Sequence, residues 1–302
     1  GVRPSLIPVL ISYFQQRKMT VKWHGHLSTK RDLPGGGPQG CTFGLLQYKS
    51  SSNSNADHVP RDMRFKFVDD LSTLEKLNLM YLDKIEDWTD SNKSKLNGKK
   101  SNVMIFNFTE NSQFSTRLYL ENTLLEIIDE TKLLGTMISN DLKWHQNTDM
   151  LVRKGYQRML ILQKLYSFRV STSDLVNIHI LYIRSLLEQS CQVWHFSITE
   201  EEKIDQERVQ KLACKVILQG DYETYPQALD DLNLQTLFSR RETLCLKFAK
   251  KCIKHEKAKD LFPLNPDHRN KDKYKVQFAR KDRLMYSTIP QLQRLLNADA
   301  SK

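Results

Sequence analysis

The chain has 302 residues, enough for two domains or one large one, and its 39% of hydrophobic side chains, although slightly low, permits a core. Its net charge of +11, with a pI near 9.3, favours a polyanionic partner, most often nucleic acid. Five cysteines without a CxxC spacing suit a reducing compartment, nucleus or cytoplasm, and no apolar run approaches the length of a membrane span.

Residues 4 to 18 place Leu6, Val9, Leu10, Tyr13 and Phe14 at helical spacing, with Pro4 and Pro8 limiting where that helix starts. "MTVKWH" at 19 to 24 alternates Met19, Val21 and Trp23 against polar residues, the pattern of a half-buried strand, and "HGHL" turns it back into a second extended segment. His24 and His26 read as solvated turn residues, since a metal site needs further ligands.

"LPGGGPQGCTFG" at 33 to 44 holds five glycines and two prolines in twelve residues, which ends any helix or strand. Such a loop lets the backbone approach a ligand and hold phosphate oxygens, or it is a flexible surface loop; composition leaves both open. "SSSNSNADH" at 50 to 58 is a polar linker. In "MRFKFVDD", Met63, Phe65 and Phe67 face one way before the chain turns at Asp69–Asp70. Ser72 with Glu75 forms a capping-box pattern and predicts a helix start there, with Leu74, Leu77 and Tyr81 on one face.

"NVMIFNF" at 102 to 108 predicts a strand, "RLYLEN" and "TLLEII" predict two more around a turn near Asn122, and "TKLLGTMIS" continues the β character. After Trp144 the period becomes helical: Leu151, Gly155, Met159, Leu162 and Tyr166, then Leu175, Ile178, Tyr182 and Leu186, with further helices at about 200 to 218 and 234 to 255. Cys191, Cys214, Cys245 and Cys252 read as core cysteines, because Cys245, Cys252 and His255 lack a fourth zinc ligand. The end of the chain is basic, and "RNKDKYKVQFARKDR" sets Tyr274 and Phe278 among cations, as suits phosphates and stacking bases; a solvated helix face with a loose tail has the same composition.

Three segments in this order resemble reverse transcriptases. "LPGGGPQGCTFG" resembles their PQG loop, "FVDD" their YxDD or FxDD box, and "LNGKKSNVMIF" with "KLLGTMISNDLKW" the next two palm motifs of retrotransposon enzymes. "LYIRSLLEQSCQVW", "RVQKLACKVI" and "ARKDRLMYSTIPQLQRLLN" look like the thumb and later parts of animal non-long-terminal-repeat retrotransposon enzymes. The resemblance covers essentially the whole chain. It implies an α+β fold: a partial right-hand palm (antiparallel sheet with packed helices) at 1–140, a helical thumb and post-thumb region at 141–255, and a basic tail at 256–302.

The activity implied is RNA-directed DNA polymerisation, in which two Mg2+ ions hold the attacking and leaving oxygens of a nucleotidyl transfer. Asp69 matches the family's metal ligand from this box and Asp70 its partner, with Phe67 in place of the usual tyrosine and Val68 beside it. Pro38, Gln39 and Gly40 match the loop against the incoming nucleotide and template. Lys100 matches the lysine that approaches the triphosphate. Leu133, Leu134 and Gly135 resemble the primer grip. The implied partners are an RNA template, an RNA–DNA duplex and deoxynucleoside triphosphates, with no membrane and no small-molecule cofactor. The family's earlier catalytic aspartate and its fingers have no counterpart in these 302 residues, which begin at Gly1. The expectation is a fragment with little or no polymerase activity by itself, or a non-enzymatic nucleic-acid-binding remnant of a decayed element.

Overall fold

The computed structural model describes residues 8, 11–12, 15, 17–32, 64–67, 70–73, 80–91, 96–108, 117–120, 122–256, 258–266 and 273–300. The glycine-rich loop at 33 to 44, the polar segment at 50 to 58 and most of the proline-bearing segment at 4 to 18 lie outside the described residues. Helices and small sheets together make a mixed α+β chain, divided into two compact units: residues 1–101 with 117–125, and residues 102–116 with 126–302.

The first unit opens with β1 (Lys18–Met19), β2 (Lys22–Trp23), β3 (His26–Leu27) and β4 (Arg31–Asp32). β2 and β3 pair antiparallel, and His24 (φ 45) and Gly25 (φ 86) carry the chain between them, the turn expected from "HGHL". The half-buried strand expected over 19 to 24 is corrected. Met19 and Val21 are about half exposed, because two-residue ladders offer too little surface to bury an alternating face. β5 (Arg64–Phe67) and β6 (Asp70–Thr73) form a longer antiparallel pair, in the register Arg64↔Thr73, Phe65↔Ser72, Lys66↔Leu71 and Phe67↔Asp70. Ser72 therefore belongs to a strand, four cross-strand pairs outweighing a local capping pattern; the described helix α1 covers Met80–Ser91, and Leu74, Glu75 and Leu77 lie outside the described residues. Ile85 and Thr89 of α1 are buried, as are Leu118, Leu120 and Leu125 around a hairpin turning at Asn122 (φ 63). That hairpin pairs β8 (Tyr119–Leu120) with β9 (Thr123–Leu124).

In the second unit the strand expected over 102 to 108 contracts to β7 (Asn102–Val103), paired parallel with β10 (Glu126–Ile127). β11 (Glu130–Leu133) and β12 (Thr136–Ser139) form a four-pair hairpin. The described strands thus make six separate two-stranded pairs and not one antiparallel sheet. Most are local hairpins of two to four residues, whose ladders end before a third strand can join.

Helices then follow in series: α2 (His145–Ser167), α3 (Thr172–Ile178), a π-helical segment (His179–Arg184), α4 (Ser185–Leu187), α5 (Cys191–Trp194), α6 (Glu200–Leu218), α7 (Tyr225–Asp231) and α8 (Leu237–Cys252). α2 buries Leu151, Gly155, Met159 and Leu162, as their spacing predicts, while Tyr166 at the end of that series is exposed. α2 packs on α6, whose buried face carries Val209, Ala213, Cys214 and Ile217. α6 starts on a capping box: Thr199 Oγ1 accepts from Glu202 N (3.2 Å), and Thr199 N donates to Glu202 Oε2 (2.7 Å). Its Glu207 carboxylate accepts from Leu237 N at the start of α8 (3.0 and 3.2 Å) and from the Tyr225 hydroxyl. Among the described residues four cysteines are free; Cys191, Cys214 and Cys245 are buried in the core as expected, and Cys252 is half-buried.

The basic C-terminal segment packs on α8. Helix α9 (Asp282–Met285) is short, and α10 (Thr288–Ala300) lays Leu292 and Leu296 against Cys245 and Ala249, together with Phe262 and Tyr274. Tyr274, expected to meet bases, lies instead in this apolar cluster. Among the described residues no group of three His, Cys, Asp or Glu could hold a metal ion, and no helix is long and apolar enough to cross a membrane.

Candidate nucleic-acid interface

The structure places some of the sequence-derived site residues and leaves others out. Pro38, Gln39, Gly40 and Asp69 lie outside the described residues. Phe67 and Asp70 form the last pair of the β5–β6 ladder, and the connection between them, which includes Asp69 of the expected turn, lies outside the described residues. Lys100 ends a 3-10 turn over Gly98–Lys100 and is exposed. That turn sits close to β9: a Cβ on Gly98 would lie 2.8 Å from Thr123 Cβ.

Leu133, Leu134 and Gly135 come together at the tip of the β11–β12 hairpin. Its two central residues, Leu134 (φ 48) and Gly135 (φ 92), both have positive φ, which matches the right-handed twist of the flanking strands. A leucine rarely adopts this conformation, and here a neighbour supports it. Gln189 Nε2 donates to the Leu134 carbonyl (3.3 Å) and occupies the space beside Gly135, where a Cβ would sit 2.2 Å from that nitrogen. Gln189 is held in turn: its carbonyl accepts from Nε1 of the buried Trp194 (3.0 Å), whose ring lies under the Arg241 guanidinium. One pair back from the tip, Met137 N, opposite Lys132, donates to Asn147 Oδ1 of α2 (3.2 Å). The hairpin is therefore fastened to the helices twice near its tip, while the Leu133 and Leu134 side chains remain partly exposed.

Cations gather beside it. Lys132 precedes the tip, and the middle of α2 supplies Arg153, Lys154 and Arg158. Burial of its stem, then the adjacent Lys132 ammonium, Arg158 and Arg153, hold Lys154 below the usual lysine pKa. Arg158 stacks over the Tyr182 ring, 4.4 Å from its centroid, and donates to the Tyr182 carbonyl, which ties α2 to the π-helical segment. Among the described residues, Lys132, Arg153 and Lys154 form no ion pair with a carboxylate. Like charges crowded without counter-charge repel, and a polyanion crossing the group would relieve that repulsion. The sequence reading passed over Arg153, Lys154, Arg158, Tyr182 and Gln189. Lys154 and Arg158 stand four apart on one helix face, which was visible, but the partner surfaces come from 24 to 55 residues away.

Over most of its length the chain is similar to a transposon RNA-directed DNA polymerase, which supports a reverse transcriptase-related origin. It is 26% identical over 290 residues to the probable RNA-directed DNA polymerase from transposon BS of Drosophila melanogaster, across 88% of this chain and 32% of the relative. The chain thus spans about a third of the length of the curated relative it matches. No family model and no solved structure matches.

Proposed function

We propose that this chain is the palm and thumb part of a non-long-terminal-repeat retrotransposon RNA-directed DNA polymerase, and that it binds an RNA–DNA duplex. The observation that carries this reading is the similarity to a transposon RNA-directed DNA polymerase along 88% of the chain, in which the PQG, FVDD and KLLG segments keep the family's order. The β11–β12 tip supports it. A hairpin with leucines outward, fastened twice near its tip and flanked by Lys132, Arg153, Lys154 and Arg158, suits a primer end set against a fixed backbone turn while phosphates lie on the cations.

Asp69 and Asp70 are the carboxylates that would hold Mg2+. Carboxylate oxygens are hard ligands that suit that ion, Asp70 opens β6 opposite Phe67, and the ion would offset charge on the transferring phosphoryl group. As 302 residues the chain binds nucleic acid and does not polymerise.

Two assays on the purified chain test this. Fluorescence anisotropy with a labelled RNA–DNA duplex at increasing salt gives a steep slope of log affinity against log salt, and Lys132→Ala with Lys154→Ala lowers that slope by about one for each lysine. A slope unchanged by the double variant removes the hairpin face from the interface. Nucleotide incorporation on poly(rA)–oligo(dT) with Mg2+ stays at background, and incorporation above background overturns the inactivity.

A further inference from the structure

We propose that residues 273–281 form a second, separate nucleic-acid site that takes a single strand, with a base stacked on Phe278 and phosphates on Lys275, Arg280 and Lys281. This deepens the nucleic-acid reading above but does not need the hairpin face.

The segment is irregular in backbone yet firmly placed. Tyr274 N donates to Asn297 Oδ1 (2.8 Å) and Asn297 Nδ2 donates to the Tyr274 carbonyl (2.9 Å), so one buried amide of α10 satisfies both backbone groups of Tyr274. Gln277 N donates to Gln293 Oε1 (2.7 Å), and the buried Gln293 also donates to the Leu261 carbonyl (2.8 Å). On its other side, Lys275 N donates to the Pro263 carbonyl (2.9 Å) and Asn265 N to the Lys273 carbonyl (2.9 Å). The strip is thus held between α10 and residues 263 to 265, with Tyr274 as its inward anchor.

What faces outward is uniform in character. Lys273, Lys275, Arg280 and Lys281 are exposed, and residues 273 to 281 contain no acidic residue. Lys275, Arg280 and Lys281 form no ion pair among the described residues. Phe278 is 79% exposed, with cations on both sides of it in the chain. An aromatic face with no partner among the described residues, set among cations that form no ion pair there, on a backbone already fixed, matches what a single strand offers: unpaired bases to stack and a phosphate at every step. A duplex keeps its bases inside and cannot use the ring in this way. Because the strip is already ordered, binding does not need to order it.

The test measures binding of the full chain to a 15-nucleotide oligo(rU), an oligo(dT) of the same length and a blunt RNA–DNA duplex. Phe278→Ala lowers affinity for both single strands about tenfold, and Phe278→Trp retains it. Arg280→Ala with Lys281→Ala lowers the single-strand salt slope by about 1.4. Duplex affinity is unchanged by any of these, whereas Lys132→Ala with Lys154→Ala weakens the duplex and spares the single strands. Since Phe278 is exposed, its replacement leaves the unfolding temperature unchanged, which separates a binding loss from a folding loss. Single-strand affinity unaffected by Phe278→Ala, or polyglutamate competing as well as oligo(rU), overturns the stacking platform. Loss of duplex binding alone would overturn the hairpin face and leave the platform standing.

Discussion

Gly135→Ala probes the joint between the β11–β12 hairpin and the helices. Two costs add. An alanine at φ 92 leaves the region that side chains favour, at about 1–2 kcal/mol. Its methyl would also lie 2.2 Å from Gln189 Nε2, so that amide must swing away and give up its bond to the Leu134 carbonyl, at about 0.5–1 kcal/mol for a partly exposed bond. The sum is about 2 kcal/mol, or roughly 4–8 °C in unfolding temperature for a unit of this size. Gln189→Ala alone removes only the hydrogen bond. In the double variant the methyl meets no amide, so the two losses do not add, with a coupling of about 0.5–1 kcal/mol. Thermal and denaturant unfolding of the four proteins in the cycle gives these numbers. A Gly135→Ala protein as stable as the parent, or two costs that add in full, would show that Gln189 does not set the hairpin tip.

Two further outcomes follow from the buried helical core. His179 and His195 are fully buried; burial holds the first near 4, with Arg184 adding to the effect against its contact to Gln210, and the second near 3, with Arg241 and Lys203 adding. As pH falls below 6.5 the unfolded chain takes up protons at both histidines while the folded chain does not, so their contribution is complete above pH 6.5 and is lost on the way to 4, by up to about 1.4 kcal/mol per pH unit for each ring. Denaturant unfolding at pH 7, 6 and 5 measures this, and His195→Phe, placed among Phe196 and Phe238, makes the decline shallower; an equal slope would contradict it. Gly155→Ala gains about 1 kcal/mol of helix propensity but sets its methyl 2.8 Å from Cγ1 of the stiff, buried Val209, and overpacking of about 1–3 kcal/mol outweighs the gain. A higher unfolding temperature for that variant would refute the close approach of α2 and α6.

The helices were the most legible part of the chain. Leu151, Gly155, Met159 and Leu162 recur at the period of a helix, and the packed face of α2 follows them directly. The β8–β9 hairpin was also visible, since strand-forming runs flank Asn122, and the β character of "TKLLGTMIS" was visible without its turn at Leu134–Gly135. Local pattern misled where a longer ladder competed, as at Ser72, and where an aromatic among cations could face either way. Tyr274 went inward because Asn297 closes its backbone, while Phe278, four residues on, stayed outside. The candidate interface was legible only in part. "KLLG" marked the hairpin tip, but the Gln189 support arrives from 55 residues downstream of Leu134, and no spacing rule encodes a contact of that kind.

A two-stranded hairpin is marginal in water, so the order of β11–β12 is borrowed from the helices through Gln189 at the tip and Asn147 one pair back from it. That makes the hairpin a gauge of the helical core. The amide of Met137, which donates to Asn147, exchanges with solvent as slowly as the core keeps Asn147 in place. Any perturbation that slackens α2 or the Trp194 region registers first as faster exchange along this one turn of chain.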